Sequence, residues 1–115
     1  EILATDIDEE SVIETVENAA KNGVKPRIEA VVADGFHHPV LETRSFDLIF
    51  ANILAGPLIT LAPGIVSRLE KGGRVILSGL LEEQSDKVEA AYDALGLKRI
   101  DKAILDGWVT LVYAG

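Results

Sequence analysis

The 115-residue sequence contains no cysteine and no methionine, and only 5% of its residues are aromatic. The lack of cysteine excludes a disulfide framework, a thiolate metal site and a cysteine nucleophile. Cysteine usage of this kind fits a reducing compartment, and we expect a cytoplasmic protein. Natural reading frames start with methionine, so the first residue, Glu1, indicates processing or truncation.

Basic residues and long apolar runs are also scarce. Lys and Arg number 11 against 19 Asp and Glu, which gives a net charge of −8. Nucleic acid binding needs clustered basic residues, so we expect no direct nucleic acid binding by this segment. The charge suits a basic protein substrate, although soluble cytoplasmic proteins are often acidic. No apolar run approaches the roughly 20 residues that cross a bilayer, and we expect no membrane contact.

The sequence is rich in aliphatic residues, and its hydrophobic content reaches 48%. This amount suffices for the core of one domain. Short apolar runs predict strands, and apolar residues at helical spacing predict helices between them. The strands are predicted to begin at Ile2, Ile28, Phe46, Arg74, Leu97 and Trp108. The helices are predicted to end at Asn22-Gly23, to begin at Pro57 with an interruption at Pro63-Gly64, and to run from Glu82 to Leu95.

Alternating strands and helices predict an α/β fold with a mostly parallel, doubly wound sheet. Asp106-Gly107, between the last two predicted strands, is typical of tight hairpins, so the last strand should run antiparallel. Residues 46–54 are apolar almost throughout, which predicts a strand covered on both faces. Trp108 alternates with Thr110 on a strand and is expected to belong to the core.

Asp6 ends the first apolar run and stands just before a predicted helix. An acid in this place can accept hydrogen bonds from the ribose hydroxyls of a nucleotide-type cofactor, and a glycine-rich loop normally lies about 20 residues upstream. The chain has no such loop, so it is predicted to be the back half of a cofactor-binding domain. Alternatively, Asp6 is a helix cap or a solvated turn acid, although Asp8 and Ser11 are the better cap candidates.

Asn52 is a polar amide inside the most apolar run of the sequence. A buried amide must form hydrogen bonds or cost about 1–3 kcal/mol. At the end of a strand in an open α/β sheet, Asn52 would face the crevice in which such sheets bind ligands. The alternative is an asparagine whose amide fastens a loop. Gly56-Pro57, shortly after it, predicts a sharp turn that would leave room for a substrate.

No metal site is expected. His37 and His38 are adjacent, so their side chains point to different sides, and no third ligand stands at a useful spacing. Asp6 and Asp8 share the spacing of calcium ligands, but the further oxygen ligands of a calcium loop do not follow them.

Residues 51–58 (ANILAGPL), 77–84 (LSGLLEEQ) and 107–109 (GWV) resemble the PrmA family of class I S-adenosylmethionine-dependent methyltransferases. Residues 6–8 and 17–23 are similar to the family as well. Members of this family methylate amino groups of the large-subunit ribosomal protein L11, so the resemblance implies a methyltransferase that uses S-adenosylmethionine and acts on a ribosomal protein.

The resemblance covers the whole chain and implies a Rossmann-like class I methyltransferase sheet, mostly parallel with a reversed last strand. It identifies residues 1–115 with the C-terminal portion of a methyltransferase catalytic domain. The family's first strand, glycine-rich loop and N-terminal substrate-binding domain are absent from this sequence, and that strand would lie between those beginning at Ile2 and Phe46. We therefore expect the 115 residues alone to be inactive and to bind S-adenosylmethionine weakly or not at all.

The resemblance also implies roles for single residues. Asp6, with its neighbour Ile7, would hold the ribose of S-adenosylmethionine. Asp34, with Gly35 beside it, would accept a hydrogen bond from the adenine amino group; the alternative for Asp34 is simple turn chemistry with Gly35. Asn52 would contact the cofactor side of the site and act in catalysis, by holding the substrate nitrogen so that its lone pair points at the methyl group.

Two other functions fit the sequence. One is an enzyme of the same fold that methylates a lysine of another protein. The other is a non-catalytic Rossmann-like module that binds NAD or a protein partner. The reversed hairpin and the run Ala51-Asn52-Ile53-Leu54 are not dehydrogenase features. The upstream sequence discriminates between these functions, because G-x-G-x-x-G is the dinucleotide motif.

Overall fold

The computed structural model describes residues 2–6, 8–23, 28–32, 35–36 and 39–115. They form two compact units, Glu1–Thr43 and Arg44–Gly115. The first unit contains β1 (Ile2–Asp6), α1 (Glu9–Lys21), β2 (Ile28–Val32) and α2 (Pro39–Glu42). The second contains β3 (Phe46–Asn52), α3 (Ala55–Thr60), α4 (Ala62–Ser67), β4 (Leu69–Leu81), α5 (Glu82–Ala94), β5 (Lys98–Leu105) and β6 (Trp108–Ala114).

In the first unit, α1 connects two parallel strands. The ladder of β1 and β2 runs from the pair Ile2 and Ile28 to the pair Asp6 and Val32. Asp8 caps α1, since its Oδ1 accepts a hydrogen bond from the backbone N–H of Glu10 over 3.2 Å. The prediction of Asp8 as a helix cap is thereby confirmed. Asp6, two residues earlier, ends β1 and lies outside the helix.

The second unit is built on a four-stranded sheet with the order β3-β4-β6-β5. β3 and β4 are parallel, whereas β6 is antiparallel to both β4 and β5. Only the last strand of this sheet is therefore reversed, as predicted. The turn before β6 explains the reversal: Asp106 and Gly107 have φ angles of 51° and 79°, the left-handed pair of a type I′ hairpin.

No ladder joins β1 to β3 in the described residues, because β1 pairs with β2 and β3 pairs with β4 in separate sheets. Direct pairing of Leu3 with Ile49 would have contradicted the predicted topology. Instead Leu3 is opposite Glu29, and Ile49 is opposite Val75. The strand order of the described residues thus agrees with the predicted methyltransferase sheet.

The fourth strand begins earlier than predicted, at Leu69 instead of Arg74. The backbone N–H of Phe46 donates to the carbonyl oxygen of Arg68 over 2.7 Å, and Phe46 pairs with Leu69. Gly72 adopts a φ of 80°, and the register shifts between Leu69 and Arg74, so the strand continues through an irregularity at Gly72.

The helix predicted from Pro57 is also different, because it consists of the two short helices α3 and α4. The interruption falls at Leu61 and not at Pro63-Gly64, since Pro63 lies in the first turn of α4, where the missing N–H costs no helical hydrogen bond. The short helix α2 was not predicted from the sequence.

The core of the second unit lies between one face of the sheet and the helices α3, α4 and α5. The fully buried side chains of this layer come from both sides, and the hydroxyl of Tyr92 donates to the carbonyl oxygen of Leu58 over 2.9 Å. They are Leu58, Val75, Leu77, Leu80, Val88, Tyr92, Leu111 and Tyr113. This layer holds the carboxyl ends of β3 and β4 in place.

The opposite face of the sheet is more open, and two predictions of burial are wrong here. Leu48 and Phe50 of β3 are 55% and 62% exposed, so no layer of the second unit covers them. Trp108 is 55% exposed and is not a core residue, since it alternates with Val109, which takes the buried side.

A buried carboxylate joins α5 to β5. Glu89 is 8% exposed, and it forms ion pairs with Arg99 and with Lys102, whose Nζ lies 3.1 Å from Oε2. The hydroxyl of Ser85 also donates to Oε2 over 2.9 Å. The carboxylate is therefore fully paired, which a buried charge requires.

Candidate functional site

Asn52 is the last residue of β3, and it lies opposite Ser78 in the parallel ladder with β4. It therefore stands at the carboxyl end of the strand, where it was predicted. The side chain is exposed, so the buried amide that the sequence analysis considered does not occur in the described structure. Among the residues that the structure describes, none forms a hydrogen bond with the Asn52 amide, which leaves it free to bind a ligand.

Gly79 lies directly against this amide. It has a φ of 80° and stands in a bulge of β4, at the register shift between Leu77 and Leu80. A Cβ added to Gly79 would overlap Oδ1 of Asn52 and would lie 3.6 Å from its Cγ. The backbone carbonyl oxygen of Ile53 is 3.7 Å from the same point. Two acceptor oxygens, one from a side chain and one from the backbone, thus lie beside the same glycine.

Sequence reasoning did not single out Gly79, although it used residues 77–84 for the family resemblance. The available signal was a glycine inside an apolar strand, which commonly marks a bulge or a close approach of another group. Which group approaches depends on the pairing of β3 with β4, and the sequence does not state that register. The structure therefore adds Gly79 to the candidate site.

The chain turns immediately after Asn52. Leu54 precedes α3 with extended backbone angles, φ −63° and ψ 154°, and the helix begins at Ala55. Ala55 and Leu58 are buried and pack α3 against the core. Ile53 and Leu54, in contrast, are exposed, and Leu54 is 75% exposed. The turn predicted at Gly56-Pro57 is therefore misplaced: the chain turns earlier, at Ile53 and Leu54, and Gly56-Pro57 lies inside α3. The turn leaves the surface around Asn52 open.

Of the residues predicted to bind the cofactor, the structure describes the backbone of Asp6 as the last residue of β1. This position at the carboxyl end of a parallel strand is the predicted one. Gly35 lies in a turn with a φ of 59° and is half-buried. Ile7 and Asp34 lie outside the described residues. The assembly of Asp6, Asp34 and Asn52 at one edge stays a prediction.

No group of three or more His, Cys, Asp and Glu side chains could hold a metal ion in the described part of the chain. His37 and His38 lie outside that part. The described helices also include none that is long and apolar enough to cross a membrane.

Residues 1–114 match the protein family described as ribosomal protein L11 methyltransferase (PrmA). The chain belongs to this family. The ribosomal protein L11 methyltransferase of Brucella suis (strain ATCC 23445 / NCTC 10510) is 52% identical over 111 residues, which cover 96% of this chain and 39% of the relative. That of Mesorhizobium japonicum is 47% identical and covers 96% of this chain and 38% of the relative. The chain thus spans about two fifths of the length of these relatives.

Solved structures agree with this assignment. The ribosomal protein L11 methylase of Lactobacillus delbrueckii subsp. bulgaricus has a TM-score of 0.88 at 36% identity, covering 96% of this chain and 55% of that one. The N-methyltransferase NodS from Bradyrhizobium japonicum, solved with S-adenosyl-L-homocysteine, has a TM-score of 0.73 at 12% identity, covering 98% and 65%. The second likeness concerns the fold alone, and both confirm the Rossmann-like methyltransferase fold.

Proposed function

We propose that this chain is part of an enzyme that transfers methyl groups from S-adenosylmethionine to amino groups of ribosomal protein L11. The observation that carries the proposal is the amide of Asn52, exposed at the carboxyl end of β3 and without a hydrogen bond to the residues that the structure describes. Membership of the family supplies the substrate and the reaction. The chain would form the C-terminal portion of the catalytic domain.

The residues present fit S-adenosylmethionine by their chemistry. Asp6 is the last residue of a parallel strand, and carboxylates suit ribose hydroxyls. Asp8, the other acid of this turn, is already occupied as the cap of α1. Asp34 would accept a hydrogen bond from the adenine amino group, with Gly35 beside the ring, and Ile7 would lie with Asp6 at the ribose. The bound cofactor would supply a methyl group activated by its positively charged sulfur.

Asn52 would orient the amine that receives the methyl group. Its Oδ1 and the backbone carbonyl oxygen of Ile53 both lie on the side of Gly79 from which a Cβ would project. Two acceptors can hold the two N–H bonds of a neutral amine and leave the nitrogen lone pair to point away from them. Such orientation is itself catalytic, because a displacement at a methyl group needs alignment of the reacting atoms.

The charge of the chain suits the proposed partner. A net charge of −8 favours a basic protein over a nucleic acid as the direct contact of this segment. A ribosomal protein is such a partner, and the enzyme would act in the cytoplasm, where ribosomal proteins are made.

The test is the substitution Asn52→Ala in the complete methyltransferase. We expect transfer of labelled methyl groups to purified ribosomal protein L11 to fall by about a hundredfold, because the amine loses its orientation. The affinity for S-adenosylmethionine, measured by calorimetry, should change by less than about twofold, since Asp6 and Asp34 hold most of the cofactor. Asn18→Ala, an exposed asparagine of α1, is the matched control and should keep the wild-type rate.

The complementary substitution is Asp6→Ala, which should weaken cofactor binding before it affects the rate at saturating cofactor. If Asn52→Ala transfers methyl groups at the wild-type rate, Asn52 only fastens a loop and the proposed role is wrong.

A further inference from the structure

Two glycines of β4 share one backbone conformation but differ in their surroundings. Gly72 and Gly79 both have a φ of 80°. A Cβ added to Gly72 would meet nothing within 4 Å, whereas a Cβ added to Gly79 would overlap Oδ1 of Asn52. The left-handed backbone conformation therefore favours glycine at both positions. Only at position 79 does a second cause favour glycine, namely the Asn52 amide that lies next to it.

A methyl group at position 79 would displace the amide and not the backbone. The overlapping atom is the far end of an exposed side chain, and the described residues give the Asn52 amide no hydrogen bond that resists rotation. The bulge itself is firmly held, because Leu77 and Leu80 on either side of it are fully buried. The easier movement is a rotation of the Asn52 side chain.

We propose that Gly79 is a positioning residue for Asn52. The missing Cβ lets the amide lie against the bulge, next to the carbonyl oxygen of Ile53, and the buried neighbours of Gly79 keep this surface at a constant place. The catalytic consequence rests on the proposed function of Asn52. The contact itself does not, because it follows from the position of the two residues in the parallel ladder.

The contact is tested with Gly79→Ala and Gly72→Ala in the complete methyltransferase. Both variants gain the same left-handed strain of roughly 1–2 kcal/mol, so Gly72→Ala controls for stability. The side-chain amide signal of Asn52 in a nitrogen-15 NMR spectrum, assigned by its loss in Asn52→Ala, should shift in Gly79→Ala and stay in place in Gly72→Ala. An unshifted signal in Gly79→Ala, or equal shifts in both variants, overturns the proposal.

The catalytic consequence is tested by kinetics on the same variants. Gly79→Ala should lower kcat for methylation of ribosomal protein L11 by about tenfold to a hundredfold, with the affinity for S-adenosylmethionine unchanged within twofold. Gly72→Ala should keep kcat within about twofold. If Gly79 were only a structural glycine, kcat would fall equally in both variants, and that result would contradict a positioning role.

A double variant shows whether Gly79 acts through Asn52. In the Asn52→Ala background the added methyl group meets no amide, so Gly79→Ala should lower kcat no further than Gly72→Ala does. An additional loss as large as in the wild-type background means that Gly79 acts by another route. If Asn52→Ala alone is fully active, the proposed function of Asn52 fails, while the NMR comparison still decides on the contact.

Discussion

The two compact units differ in the core beneath their candidate site residues. Asp6 ends β1 in the first unit, and Asn52 ends β3 in the second. Among the buried apolar residues that the structure describes, only Ala19 and Leu41 belong to the first unit. The second unit contains the rest, in a layer between a four-stranded sheet and three helices. Asn52, the residue proposed to orient the amine, therefore belongs to the unit with the larger described core.

The first unit rests on a two-stranded sheet and one long helix. Two strands alone are marginally stable in water. If the proposed function is correct, the second unit carries the acceptor oxygens and the first unit carries Asp6, the proposed ribose ligand. Binding to the folded state alone adds stability by mass action, so the cofactor should stabilise the first unit more than the second.

The largest expected effect comes from the core. Leu77→Ala removes a fully buried side chain of β4 and should lower the free energy of unfolding of the protein by about 3 kcal/mol, since it leaves a cavity among rigid neighbours. Leu41→Ala, in the short helix α2, should cost less, about 2 kcal/mol, because it lies in the smaller unit and smaller units bury less of their surface. Urea denaturation measures both values, and equal losses would remove the contrast between the units.

The second-largest effect is expected at high pH, which should lower the free energy of unfolding of the second unit. Burial raises the pKa of Tyr92 to about 12, and burial, followed by the hydrogen bond and charge of Asp93, raises the pKa of Tyr113 to about 12. Between pH 10 and pH 12 the unfolded chain loses protons that the folded chain keeps. The stabilising contribution is therefore complete below pH 10 and is lost as the pH rises towards 12, with a magnitude on the order of 2 kcal/mol for each tyrosine.

The prediction is checked by measuring how the free energy of unfolding of the Tyr92→Phe variant depends on pH. This variant also loses the hydrogen bond to the carbonyl oxygen of Leu58, so its absolute stability is lower at every pH. Its loss between pH 10 and pH 12 should nevertheless be about half that of the wild type, because only Tyr113 then titrates. An unchanged slope would show that the alkaline transition does not arise in this core.

The sequence predicted the features that are encoded locally. Asp106-Gly107 predicts a hairpin because only left-handed residues close it, and Asn22-Gly23 predicts a helix end for the same reason. The exposure of Phe50 and Trp108 was not predictable, since an apolar residue on a strand does not reveal whether a second layer covers it.

For the candidate site, too, the sequence predicted the features that are local in the chain and missed a contact between strands. Asp6 and Asn52 were proposed as site residues because each is a polar residue near the end of an apolar run, and the structure confirms that both end strands. The contact between Asn52 and Gly79 was not predicted, because it joins residues of different strands through a bulge that shifts the register. Bulges of this kind depend on tertiary packing, which a single sequence does not display.

The smallest expected effect belongs to the first unit and concerns its helix cap. The side chain of Asp8 accepts from the N–H of Glu10 over 3.2 Å and from the hydroxyl of Ser11 over 2.9 Å. Asp8→Ala should lower the free energy of unfolding of the first unit by about 1 kcal/mol, because a backbone donor at the start of α1 loses its partner. Asp8→Asn keeps an acceptor and should cost only a few tenths of a kcal/mol.

Amide hydrogen exchange resolves the effect by region: faster exchange in α1 and β1, with β4 and β6 unchanged, is the expected pattern. Equal acceleration in both units would show that they unfold together, and the contrast between their cores would then have no consequence for stability.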